Sequence, residues 1–382
     1  MATSNGSTSD RLHTAQLVAL AGETDPSVTG RTLEFWRHQG LLPHPERSGQ
    51  VGKRPVWTYP PETADQLRSL LHQRQQTKDP NVLRAALWYD GFPIETARVR
   101  SSISAYLRQL QDICEKELTK RQSGPADDPE ARWQAIQAVA GVLARRRSKG
   151  FPRLNRQALD ERTAGIALTL GLLLGDEAAM RHLEADAPAV ERLIGIDRGR
   201  RYKPGGAGPW LDGPPEEGLA SFATMGSLDR LLAMVEGASD EKLEIARTLA
   251  RTLLGGIAAF SKISDAFEGR DNASGMAGMR VFDDDPHAAL VSVPLVLSIL
   301  SSTEMAQNLG QIFTAIQSNV LPIKEQAREL AAMSEGERAA RLKNLPELPF
   351  VEQVRIKRLV AEFSDDAEPD LTDSLPGVTP SP

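Results

Sequence analysis

From Ile94 to about Arg121 the chain runs without a Gly or Pro, and Val99, Ile103, Tyr106, Leu110 and Ile113 recur at alternating steps of four and three. That spacing lines five apolar side chains along one seam of a long helix, as in helices that pair. The seam spans two or three heptads, and it reads either as a coiled-coil dimer interface or as a core helix packed within one domain. Helical patterns continue beyond it at Ala131–Lys149, Gln157–Leu174, Glu177–Ile194, Gly218–Val235, Lys242–Phe267 and Pro286–Val320, with two shorter helices ending near Phe363. Gly and Pro punctuate most of their boundaries. Only 5% of the residues are aromatic, and Ala and Leu supply much of the apolar content, which favours packed helices over sheets.

A chain of 382 residues is long enough for two or three domains. Cys114 is the one cysteine, so neither an internal disulfide nor a Cys-based zinc site is expected. That points to a reducing, cytoplasmic compartment, and the polar start MATSNGSTSD lacks the regions of a signal peptide. The most apolar run, Ala288–Leu300, is too short to span a bilayer and contains Pro294, so a buried helix is expected and no membrane anchor. With a formal net charge of −6, any attraction to nucleic acid must come from a local patch.

Chemistry-bearing clusters are few. Arg145, Arg146, Arg147 and Lys149, and Arg198, Arg200, Arg201 and Lys203, read as solvated faces or as phosphate contacts. The GGAGPW stretch lacks the Lys-Ser/Thr of a phosphate loop. Asp283, Asp284 and Asp285 beside His287 read as the acidic start of a helix. Cys114, on the heptad stripe, reads as a small buried apolar residue. With no metal-ligand spacing, nucleophile elbow or acid/base signature, the expectation is a protein without enzymatic activity, cofactor or metal.

The first ninety residues are the mixed part of the chain. A short helix is expected over Leu12–Leu20, ended by Gly22 and Asp25-Pro26, and a second over Thr29–Gln39 with Ser27 or Thr29 as its cap. Leu33 and Trp36 share one face of that second helix, while Arg31, Glu34, Arg37 and His38 spread over the others. Gly40 suits the left-handed position after it, and Pro43 stops it. The segment LLPHPERSGQVGKRPVWTY then reads as a β-hairpin with Lys53 and Arg54 near its tip, where cations would neutralise phosphates. Pro60 and Pro61 open a further helix. A short helix with a cationic side followed by such a hairpin can enter a major groove and grip the adjacent backbone.

This order of parts resembles the DNA-binding domain of the MerR-type family of bacterial regulators. Three phrases carry the resemblance: RTLEFWRHQGLLP (Arg31–Pro43), RPVWTYPPETADQL (Arg54–Leu67) and DGFPIETARV (Asp90–Val99). It covers roughly the first quarter of the chain and the helix behind it. The resemblance implies Arg31, Thr32, Phe35, Trp36 and Arg37 at the groove or the neighbouring phosphates, and Lys53, Arg54 and Tyr59 on the wing. It also implies a homodimer joined through Val99, Ile103, Tyr106, Leu110 and Ile113. Two insertions depart from the family: AGETDPSVTG lengthens the turn between the first two helices, which normally holds three or four residues, and HQRQQTKDPN follows the wing helix.

The expected fold is therefore mainly α: a disordered lead (1–10), a winged helix-turn-helix with a small β-hairpin wing (11–93), a linking and dimerisation helix (94–122), a large α-helical domain (129–364) and a disordered acidic tail (365–382). The expected function is a cytoplasmic, nucleoid-associated transcriptional regulator that binds double-stranded DNA as a homodimer, with an unidentified effector or protein partner on its helical domain. The alternatives are a DNA-bound structural or adaptor protein, and a helical protein-interaction module that binds no DNA.

Overall fold

Polar residues just outside the apolar repeats start the helices. Thr29, Asp79, Asp128 and Asp176 each accept a hydrogen bond from the backbone N–H of a residue two or three positions on, satisfying one of the donors a helix start leaves free. Pro80 and Pro129 follow two of these caps, at positions where a missing N–H costs nothing. The computed structural model describes residues 11–51, 54–125, 127–146, 158–193, 214–268, 285–334 and 336–337. Within them the protein is mainly helical, with one two-stranded antiparallel sheet.

The N-terminal elements are α1 (Thr14–Thr24), α2 (Gly30–His38), β1 (Glu46–Val51), β2 (Arg54–Thr58), α3 (Thr63–Arg74), α4 (Pro80–Asp90) and α5 (Thr96–Thr119). β1 and β2 pair from Glu46↔Thr58 to Val51↔Arg54, with a bulge between Arg47 and Gly49. Leu12 and Tyr59 exchange both backbone hydrogen bonds (3.1 and 2.7 Å), which ties the segment before α1 to the base of the hairpin. The expected break at Gly22 does not occur. Helix α1 runs on to Thr24, so much of the inserted AGETDPSVTG becomes helix and the connection to α2 shortens to Asp25–Thr29. There Asp25 accepts from the N–H and hydroxyl of Ser27, and Val28 is buried.

Behind these lie α6 (Pro129–Arg145), α7 (Leu159–Leu173), α8 (Glu177–Arg181), α9 (Leu183–Leu193), α10 (Pro215–Gly226), α11 (Leu228–Gly237) and α12 (Asp240–Glu268). They are followed by α13 (Ala288–Leu300), α14 (Thr303–Ala315), a π turn (Ile316–Val320) and α15 (Leu321–Ala332). Three of the expected long helices are thus broken. Glu177–Ile194 divides at His182, whose ring stacks on Trp133 at 4.6 Å, and Gly218–Val235 divides at Ser227. Pro286–Val320 divides after Leu300, whereas Pro294 lies inside α13.

The chain forms two compact units. The first holds α1–α11, α12 as far as Arg251, α13 and the start of α14; the second holds the rest of α12 and α14, the π turn and α15. The expected boundary at 123–128 does not separate them. Helix α5 packs against α4, α11 and α13 within the first unit, and its Leu118 joins the core of α6–α9 built on Trp133, Ile136, Leu168 and Leu172. The polar lead, the clusters at Arg198–Lys203 and Asp283–Asp284, the GGAGPW stretch, the helices near Phe363 and the acidic tail lie outside the described residues.

Candidate nucleic-acid interface

Helix α2 begins with a reciprocal cap: the Thr29 hydroxyl accepts from the Thr32 N–H, and the Thr32 hydroxyl accepts from the Thr29 N–H (3.3 and 3.2 Å). Thr32 is therefore engaged in holding the helix start. Leu33 and Trp36 point into the core, while Arg31, Glu34, Phe35 and His38 face outward.

The two aromatics of the Phe-Trp pair have opposite fates. Phe35 is 56% exposed, whereas Trp36 is 1% exposed and has the Arg74 guanidinium over its ring, 4.8 Å from the centroid. Tyr59 is likewise 2% exposed, and its hydroxyl accepts from Arg37 at 3.4 Å. Trp36 and Tyr59, expected at DNA, are core residues and have no surface to offer a groove. Arg37 is mostly covered and shared between Tyr59 and Glu34, so of the expected helix contacts Arg31 and Phe35 are the ones left open to solvent.

On the hairpin, the backbone of Arg54 pairs with Val51, and Lys53 lies outside the described residues. Two further surface groups there escaped the sequence reading: Arg47, exposed on β1, and Trp57, 50% exposed on β2. Arg11 pairs with Glu46 at 3.0 Å along the hairpin's first strand. Residues 11–100 carry twelve Lys and Arg against nine Asp and Glu, so this stretch is cationic in a chain of net charge −6.

The far end of α2 is held from three directions. Arg98 of α5 donates to the carbonyl of His38 (3.3 Å), and Arg84 of α4 donates twice to that of Gln39 (3.1 and 2.8 Å). Gln66 of α3, itself buried, donates to that of Leu41 (2.8 Å). The first two are carbonyls that a helix end leaves without intrahelical partners, and Leu41 lies in the turn just beyond it. Between them Gly40 takes φ of 69°, the left-handed conformation expected of it, and a side chain there would meet the Arg98 guanidinium at 2.8 Å. Burial, and then the neighbouring Arg98, lower the pKa of Arg84 from the usual arginine value, a sign of how enclosed this clamp is. Spacing in the sequence carries no signal for these contacts, because their acceptors are backbone atoms 25 to 60 residues away.

The residues expected to form a dimerisation seam are divided. Val99 and Ile103 are fully buried within the chain, Tyr106 and Leu110 are half-buried, and Ile113 is 51% exposed. Its first two residues are therefore core, as the alternative reading of a packed helix has it. Cys114 is half-buried, and burial followed by the nearby Glu115 pushes its thiol pKa up, away from the reactive range. Asp285 accepts from the His287 N–H and contacts its ring, closing the start of α13. Arg145 and Arg146 are exposed, and Arg147 and Lys149 lie outside the described residues. Among the described residues no group of three or more His, Cys, Asp or Glu could hold a metal ion, and no helix is long and apolar enough to cross a membrane. The chain matches no known protein family, no curated protein and no solved structure.

Proposed function

We propose that residues 11–93 are a winged helix-turn-helix that binds duplex DNA, and that the chain is a non-enzymatic transcriptional regulator of the MerR type its sequence resembles. The observation that carries this reading is α2 itself: a short capped helix with Arg31, Phe35 and His38 on its open face, followed at once by a two-stranded hairpin bearing Arg47. In this reading α2 enters the major groove and the hairpin lies along the adjacent backbone. The N-terminal amides of α2 and Arg31 face phosphate, and Phe35 offers an apolar contact to a thymine methyl. The helical remainder receives an effector or a protein partner, and a dimer would use the outer part of the α5 stripe around Ile113.

The test is a salt titration of the full chain on a pool of random duplexes, with sequencing of what is retained. Enrichment of a two-fold-symmetric motif is the expected result. Arg31→Ala and Arg47→Ala should each weaken retention and flatten its salt dependence by about one unit of log–log slope. Retention without enrichment would instead indicate a structural or adaptor role. The competing reading, a protein-interaction module, is favoured by the two exposed aromatics and by Glu34 on the same face as Arg31. It would be supported by no retention even at low salt.

A further inference from the structure

The bonds at the C-terminal end of α2 belong to a longer polar path. Arg84 is half-buried on α4, and besides its two bonds to the Gln39 carbonyl it donates to the Ser102 hydroxyl of α5 (2.6 Å) and to Asn81 (3.1 Å). Ser102 is fully buried and donates in turn to the Arg98 carbonyl one turn back. One guanidinium thus joins three helices. Its planar fork fits that task, because a lysine keeps the charge but cannot reach three acceptors in fixed directions.

On their other sides, the same two helices are bound to α11 and the start of α12. Trp88 Nε1 of α4 donates to Glu244 (2.8 Å), and Arg247 donates to the Trp88 carbonyl (3.1 Å) and stacks on its ring. From α5, Arg100 bonds the Ala238 carbonyl (3.0 Å) and Asp240, Arg108 pairs with Glu236, and Gln111 donates to Asp229 (2.9 Å). Helix α2 therefore has directional links, through α4 and α5, to the helices behind it.

We infer that Arg84 is a positioning residue: it sets the angle at which α2 presents Arg31 and Phe35, and it couples that angle to the α5–α11 face without itself touching a ligand. This rests on the DNA-binding reading for its functional half, while the positioning itself stands on the geometry alone. A groove-reading helix must be held within a fraction of an ångström for base contacts, whereas phosphate contacts tolerate small rotations. Loss of Arg84 should consequently act on discrimination more than on general attraction.

The experiment compares wild type, Arg84→Lys and Ser102→Ala as full chains. Amide hydrogen exchange is read across α2 and, as the control, across α7. The expected result for Arg84→Lys is exchange at least about ten-fold faster in α2 with α7 unchanged. A global loss of stability would move both helices together, and equal protection of α2 in the two proteins would overturn the proposal whatever the protein binds. Ser102→Ala should give the same pattern at smaller amplitude. The second readout is affinity for the duplex enriched by wild type against an unselected duplex. Arg84→Lys should lower the ratio of the two by about ten-fold, with the salt slope on the unselected duplex unchanged, because no phosphate contact is lost. Faster α2 exchange with an unaltered ratio would overturn the functional half alone. Wild type that retains no duplex at low salt would overturn the DNA-binding reading and leave the exchange measurement to decide the positioning.

Discussion

The region around α2 and the α6–α9 stack behind it hold their helices by opposite means. Around α2 the fixing contacts are directional: Arg84, Arg98 and Gln66 reach backbone carbonyls beside the buried Trp36 and Tyr59. In the stack, Ala135, Ala140, Ala167, Ala178 and Ala179 bring the helices close around Trp133, and apolar burial fills most of the contact, with the Arg132–Asp176 bond beside it. The difference teaches where tolerance lies. A surface that must present groups at a set angle needs bonds with geometry, whereas a stack that only supports it needs volume filled without strain.

The largest effect should come from emptying the stack. Trp133→Ala removes a side chain that is 1% exposed, and a core loss of this kind costs about 3–5 kcal/mol, read as a lowered urea midpoint. Ile103→Asn should come next, at about 2–4 kcal/mol, since it buries an amide in place of a fully enclosed apolar side chain. Light scattering would separate the two readings of the α5 seam: Ile103→Asn should lower stability at constant mass per folded particle. Ile113→Lys should leave the urea midpoint nearly alone and halve the mass if α5 joins two copies. A monomeric wild type would remove the dimer from the proposed function.

Glycines turn the comparison into a test of sign. Gly171 in α7 has so close a neighbour that an added Cβ would lie 2.6 Å from the Cβ of Ala179 and 3.0 Å from the Trp133 ring. Gly255, in α12, has nothing within 4 Å of the same position. Alanine normally improves a helix over glycine by about 1 kcal/mol. Gly255→Ala should therefore stabilise by about that amount, whereas Gly171→Ala should destabilise by about 1–3 kcal/mol through overpacking. Equal and positive effects at both sites would mean that the stack around Trp133 has slack and is not filled to its limit.

What the sequence disclosed follows the same division. Caps, Gly40 and the hairpin were legible because they are local: Thr29 starts α2, Gly40 ends it, and two strand-like runs flank a Gly-bearing tip. The choice between Phe35 and Trp36 was not. Adjacent helix positions differ by about 100°, and which of two large aromatics turns inward depends on what packs against them, here the Arg74 guanidinium over Trp36. The breaks at His182 and Ser227 were equally hidden, since apolar periodicity runs through both and the stacking of His182 on Trp133 is a tertiary contact. The clamp left no mark either: an arginine that donates to a distant carbonyl looks in sequence like any solvated arginine.

The smallest effect should appear where the two regions meet. Arg132 of α6 donates to both carboxylate oxygens of Glu115 on α5 (3.0 and 2.7 Å) and to Asp176 (2.8 Å), so a polar contact joins the helix of the directional region to the helices of the stack. The hydrogen bond and charge of Arg132 hold the Glu115 carboxyl below the usual glutamate pKa, with burial opposing them. A carboxyl whose folded pKa is depressed contributes its stability fully above the unfolded value, about 4.3 to 4.5, and loses it as pH falls through the lower folded value. Because the pair is partly exposed, the contribution should be no more than about 1 kcal/mol. The urea midpoint of wild type should therefore fall more steeply below about pH 4.5 than that of Glu115→Gln, and the two curves should run parallel above about pH 5.5. Parallel curves over the whole range would show that this seam is held by the packing of Leu118 into the core around Trp133, and that the Arg132–Glu115 pair adds nothing to it.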